Sequence, residues 1–220
     1  MEIKRQGRPS NYDIMRDRME LEFVRYDQGA MLRKFGLKSD AGYIYLRFAG
    51  RDYRIHRATG RAEWYCPARR EYIHADYGAS MTIFDMLAWS RPDCALDGRF
   101  VPPGALGGMV QSSASSGIGI FSGQAAFFAG RCDELRWACL ELGGRPADAA
   151  GDVSAMLPLF DFFPVMLQFW DADEEFGAVL KFMWDKNTTD FIHYETVAFA
   201  TGHLIERLKE CMEESAAGKT

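Results

Sequence analysis

The sequence predicts an α+β fold, a mainly antiparallel sheet built from two strand meanders and packed against N-terminal, central and C-terminal helices. Three observations lead there. Two separate blocks have the alternating or all-apolar character of strands, three blocks have helical apolar spacing, and no regular strand-helix-strand alternation of the kind that builds parallel sheets is present. The 220 residues are 48% hydrophobic and 26% charged, enough apolar surface to offset the entropy of ordering, so a single domain spanning 1–220 is expected.

The helical N-terminal segment covers 1–36. From Asn11 to Phe35, residues Met15, Met19, Phe23, Tyr26 and Ala30 recur at helical steps, Gly29 allows two consecutive helices, and Gly36 is placed as a C-cap. The period then changes. In the first meander, 42–66, Ile44, Leu46 and Phe48 alternate with polar neighbours, Tyr53 and Ile55 repeat the pattern, and Arg61 to Tyr65 makes a third short strand. Thr82 with Asp85 reads as a capping box opening a short helix that ends before Pro92. The region 102–123, with its Ser/Gly-rich run at 112–119, reads as loop. Ser122 is the expected N-cap of a central helix, 122–143, which carries Phe128, Cys132, Leu135, Cys139 and Leu142 and stops at Gly143-Gly144. The second meander, 152–185, contains three strands apolar on both faces, expected at the sheet centre. The C-terminal helix, 194–214, presents Val197, Thr201, Leu204, Leu208 and Cys211 to the core.

Composition excludes several function classes. With a net charge of -5 and dispersed acids and bases, the chain lacks the basic footprint of a nucleic-acid binder. The N-terminus has no apolar leader and no run approaches the about 18 residues needed to span a bilayer, so a cytoplasmic location is expected. Five scattered cysteines, with no CxxC, indicate neither a disulfide framework nor a zinc ribbon.

Four stretches together carry a family resemblance: YIYLRFAGRDYRIHRATG at 43–60, FDMLAWS followed by LDGRFV, LPLFDFFPVMLQFWDADEEFGAVLKFMWD at 157–185, and HYETVAFATGHLIERL at 193–208. From about Asp27 onward the chain resembles the bacterial and archaeal family known as domain of unknown function 3786. The pairs Trp170-Asp171, Glu175-Phe176 and Trp184-Asp185 are the most recognisable part. The resemblance brings no established activity and leaves the cofactor unspecified. Some members are joined to an iron–sulfur domain and occur in anaerobes, which implies a setting in redox or one-carbon metabolism, with an iron–sulfur or other redox protein as partner.

Candidate chemistry gathers at the second meander. The run Asp171, Asp173, Glu175 begins like a calcium loop, but glycine falls at the seventh position and Phe182 stands where a bidentate glutamate is required. Pairing strands around Glu174, with residue numbers summing to about 348, brings Asp161 near Asp185 and Asn187 and far from the acidic tip. Asp190, His193 and Glu195 can reach the same end. Asp161, Asp185, Asn187 and His193 could therefore divide acid and base roles, and Asp161, Asp185 and Glu195 could hold an oxygen-preferring metal; caps and turn hydrogen bonds are the competing reading. Trp170 and Trp184 are the candidates to line an apolar cofactor cleft, and His74, among Arg69, Arg70, Tyr72 and Tyr77, the candidate for an anion pocket. No Gly-x-Ser-x-Gly or His-Glu-x-x-His motif is present. Three functions follow in order: a cofactor-binding or partner-docking accessory protein of anaerobic redox metabolism, a metal-assisted hydrolase or lyase using the acidic cluster, and a structural or interaction domain without catalysis.

Overall fold

The computed structural model describes residues 10–106 and 121–217. Helix α1 (Asn11–Phe23) opens with a capping box in which the Ser10 hydroxyl accepts the Asp13 N–H and the Asp13 carboxylate accepts that of Ser10. Helix α2 (Gln28–Phe35) is capped by Asp27 and ends at Gly36, whose φ of 62° is the left-handed conformation a glycine C-cap supplies. The break falls at 24–27, ahead of Gly29. Met15 and Tyr26, expected on a buried stripe, are exposed, because α1 docks instead through Phe23, 4.7 Å from Phe84, and through Glu20.

Among the described residues ten strands form one antiparallel sheet: β1 (Lys38–Ser39), β2 (Tyr43–Phe48), β3 (Arg51–His56), β4 (Ala62–Cys66), β5 (Glu71–His74), β6 (Phe100–Val101), β7 (Arg145–Pro146), β8 (Val153–Phe160), β9 (Phe163–Trp170) and β10 (Val179–Asp185). Their order is β5-β4-β3-β2-β8-β9-β10-β6, with β1 on β2 and β7 on β8. The first meander has a fourth strand, β5, beyond the three expected. β2 and β3 are joined by Ala49-Gly50, both at positive φ (46° and 76°), the type I′ turn that suits the right-handed twist of a two-residue hairpin. The two meanders meet where Phe48 pairs with Phe160 and the Ala49 N–H donates to the Leu159 carbonyl at 2.9 Å.

In the second meander Val153, Ala155, Leu157 and Leu159 of β8 and Phe163, Val165, Leu167 and Phe169 of β9 are buried, while the residues between them are half-buried. These strands are central, yet only one face is fully covered. Val179 pairs with Trp170 and Trp184 with Val165, one residue away from the expected register. A slip of one residue moves every side chain to the other face. Trp184 therefore lies in the core at 0% exposure, while Trp170 stands on the opposite face, and the cleft expected between the two tryptophans is not formed.

Helix α3 (Tyr77–Phe84) starts at Asp76, whose carboxylate accepts the Ala79 N–H, six residues before the expected Thr82. Thr82 lies inside the helix and donates to the Gly78 carbonyl, and the chain continues as a π turn, Asp85–Trp89. The central helix divides at Gly130, φ 71°, into a 3-10 segment, Ser122–Phe128, and α4 (Cys132–Glu141). The Ser/Gly run at 112–119 lies outside the described residues. Helix α5 (Tyr194–Ala217) buries Val197, Thr201, Leu204, Leu208 and Cys211 as expected. Among the described residues no helix is long and apolar enough to cross a membrane.

Phe48 is the meeting point of the core. Its ring lies 5.0 Å from Phe160, 5.5 Å from Tyr53 and stacks on His203 of α5 at 4.7 Å. Burial keeps the His203 imidazole neutral, pushing its pKa down to about 4. In the unfolded chain this histidine takes up a proton near its ordinary value of about 6.5, so between these two values the unfolded state holds more protons and stability rises with pH. Chemical denaturation at a series of pH values should show stability falling from pH 6.5 toward 4, by up to about 3 kcal/mol. His203→Gln should flatten that slope.

Gly60, at φ 73° in the β3–β4 turn, sits so close to α1 that a Cβ there would lie 1.9 Å from the Glu20 carbonyl oxygen. Gly60→Ala should therefore push α1 off the sheet and destabilise the chain by roughly 2–4 kcal/mol in urea denaturation.

Candidate functional site

Below the Phe48–Phe160 junction the strands of the two meanders part. β1 pairs with β2 at Tyr45 and Ile44, so the segment Gly36–Lys38 and the β8–β9 turn at Asp161-Phe162 flank an opening in the seam. Here lies a cavity of about 630 Å³, within the roughly 300–1,000 Å³ typical of small-molecule sites. Its walls include Phe35, Lys38, Tyr45, Arg47, Asp52, Tyr72, Asp161 and Phe162. Phe35 stacks on Phe162 at 4.3 Å with 21° between planes, and Phe162 on Phe160 at 5.3 Å and 12°, a ladder of rings along one side.

The charges of this groove differ from their neighbours. Arg54, beside it, donates twice to Glu63 and lies 4.2 Å from the Tyr43 ring and 3.4 Å from that of Tyr72. Among the described residues Lys38, Arg47, Asp52 and Asp161 make no ion pair, and Arg47 reaches only the Gly50 carbonyl, at 3.4 Å. Two cations and two carboxylates, all exposed, thus face one aromatic-walled space, with Arg47 and Asp52 opposite each other on β2 and β3 but not closed into an ion pair. A flat ligand with groups of both signs would find partners there.

The residues expected to form a catalytic cluster are engaged separately. Asp161 is exposed at the groove rim. Asp185 is fully buried, its carboxylate accepting the N–H groups of Asp97, Gly98 and Asn187 at 3.0, 2.7 and 2.9 Å. Asn187 donates its amide to the Ala95 carbonyl, and Glu195 is exposed on α5. These contacts tie the 95–99 loop to the end of β10. His193 pairs with Asp85, Nδ1 to Oδ1 at 2.5 Å, and stacks on Trp89 at 3.8 Å. Asp85 also accepts the His193 N–H and the Thr196 hydroxyl, so it holds the start of α5. The π turn, a distortion frequent at functional sites, places Asp85 and Trp89 on the same imidazole.

Three or more ligating side chains with atoms within 4.8 Å of one another occur, among the described residues, at Asp17, Glu20 and His74. The metal candidates Asp161, Asp185 and Glu195 are not in that group. His74, expected in an anion pocket, instead faces Glu20, Nε2 to Oε1 at 2.6 Å. Trp170 carries the Lys181 ammonium 4.7 Å from its ring centre. Sequence reasoning missed Lys38, Arg47, Tyr45, Asp85 and Glu20. Tyr45 and Arg47 stand at the non-core positions of a strand, where polar residues are unremarkable, and Asp85 lies 108 residues from its histidine.

A family model described as a domain of unknown function (DUF3786) matches residues 27–207. No curated protein and no solved structure matches.

Asp185 and Asp161 should respond in opposite ways to truncation. Asp185→Ala removes a buried carboxylate that accepts three N–H groups and is expected to cost about 3 kcal/mol in urea denaturation, whereas exposed Asp161→Ala should stay within about 0.5 kcal/mol. A small loss at Asp185 would show that its carboxylate is not the tie described.

Proposed function

We propose that this chain, which belongs to the family of domain of unknown function 3786, is a cofactor-binding accessory protein whose ligand lies in the seam groove between the two meanders. The observation that carries this reading is the groove itself, about 630 Å³ with an aromatic wall and charged side chains of both signs that form no ion pair among the described residues. All of its lining residues fall within the segment matched by the family model. The ligand class that suits the donors is a planar ring system bearing an anionic group for Lys38 and Arg47 and a cationic or hydrogen-donating group for Asp52 and Asp161. The redox setting, and an iron–sulfur or other redox protein as the docking partner, come from the family resemblance alone.

Binding requires the groove's rings and cations together. An aromatic sulfonate dye, anilinonaphthalene sulfonate, is a probe with both features. Fluorescence titration of the folded chain should give one site, weakened about tenfold in Arg47→Ala and further when Lys38→Ala is added, which corresponds to about 1.4 kcal/mol for the first step. Unchanged affinity in the double variant, or no binding to the wild type, would overturn the assignment of the groove. Absorption spectra and native mass spectrometry of anaerobically purified protein then identify the natural ligand.

A further inference from the structure

A second site lies where α1 meets β5. Asp13, Asp17 and Glu20 follow one another at steps of four and three, so they share one face of α1. Against that face stands His74. Glu20 is only 8% exposed, although a buried carboxylate is costly unless a cation or several donors accompany it. Its hydrogen-bond partners are the His74 imidazole at 2.6 Å and the Ala62 N–H at 3.3 Å, both on Oε1, which leaves Oε2 open. Asp17 is similarly half-used. Arg16 donates twice to its Oδ1, at 3.1 and 2.9 Å, and no partner is taken at Oδ2. One guanidinium therefore stands against three carboxylates beside the His74 imidazole, leaving a local charge that a divalent cation would balance.

We propose that Asp17, Glu20 and His74 form a binding site for a first-row divalent transition cation. One imidazole nitrogen and two carboxylate oxygens are a donor set suited to zinc and its neighbours more than to magnesium or calcium, which take oxygen alone. The ligating atoms lie within 4.8 Å of one another, against about 3.3–3.6 Å for ligands around a tetrahedral ion with bonds near 2.0–2.2 Å. Closing that difference takes side-chain rotations in which the 2.6 Å hydrogen bond between His74 and Glu20 is exchanged for bonds to the ion. The backbone needs no movement, because α1 is seated against the β3–β4 turn at Gly60 and Glu20 is already oriented by the Ala62 N–H. Both carboxylates belong to α1, which precedes the segment matched by the family model, so this site is a property of the present chain rather than of the groove.

The probe is Zn²⁺ alone, titrated calorimetrically into the full chain, with Co²⁺ absorption as a report on the donor set. The wild type should bind one ion. His74→Ala should lose at least a hundredfold in affinity and exposed Asp17→Asn about tenfold, with circular dichroism confirming that both are folded, while Arg47→Ala should bind as the wild type does. Absence of stoichiometric binding to the wild type overturns the proposal. So does equal affinity in His74→Ala and Asp17→Asn, which would place the ion elsewhere, for example on the cysteines.

Discussion

The structure depends on the junction of Phe48 with Phe160. Each meander alone is a set of local hairpins, and a sheet of that size with one covered face needs a common core to persist. The junction supplies it through one residue pair and the adjoining Ala49–Leu159 hydrogen bond, with His203 of α5 stacked beneath. Ala49 accepts a left-handed backbone there, and its carbonyl is held by Arg207 from α5 at 3.3 Å. Because so few bonds join β2 to β8, the strands separate beyond them. The seam groove is the geometric result of that separation.

Buried or nearly buried carboxylates tie the remaining elements together. Asp185 gathers the 95–99 loop, Asp85 receives the start of α5, and Glu20 binds α1 to β4 and β5. Each joins segments far apart in sequence and replaces lost hydration with N–H or imidazole donors. This is the physical reason that acids read from the sequence as a catalytic cluster serve different ends. Asp185 is saturated by backbone donors, whereas Asp161, a short distance along the chain from a core strand, remains uncommitted at the groove.

Local features were legible wherever the chemistry is local. Gly36 as a C-cap, the alternation in β2 and β3, the strands of the second meander and the buried stripe of α5 all follow from side chains within a few residues of one another. The capping box assigned to Thr82 and Asp85 failed because Asp76 offers a cap earlier and the Asp85 carboxylate is drawn to His193. Likewise the central helix broke at Gly130, where a stripe continuing across the glycine concealed the change of direction.

By itself the sequence determined the class of fold, the order of its elements and most of the core, since apolar periodicity and turn residues act over short distances. Only the tertiary structure decided the register of β9 on β10, the single pair joining the meanders, and the partners of the buried acids. Register is decided by packing across the whole sheet, and a shift of one residue was enough to send Trp170 and Trp184 to opposite faces. The candidate sites belong to this second group. Lys38, Arg47 and Phe162, or Asp17 and His74, become neighbours through chain crossings that leave no periodic mark in the sequence.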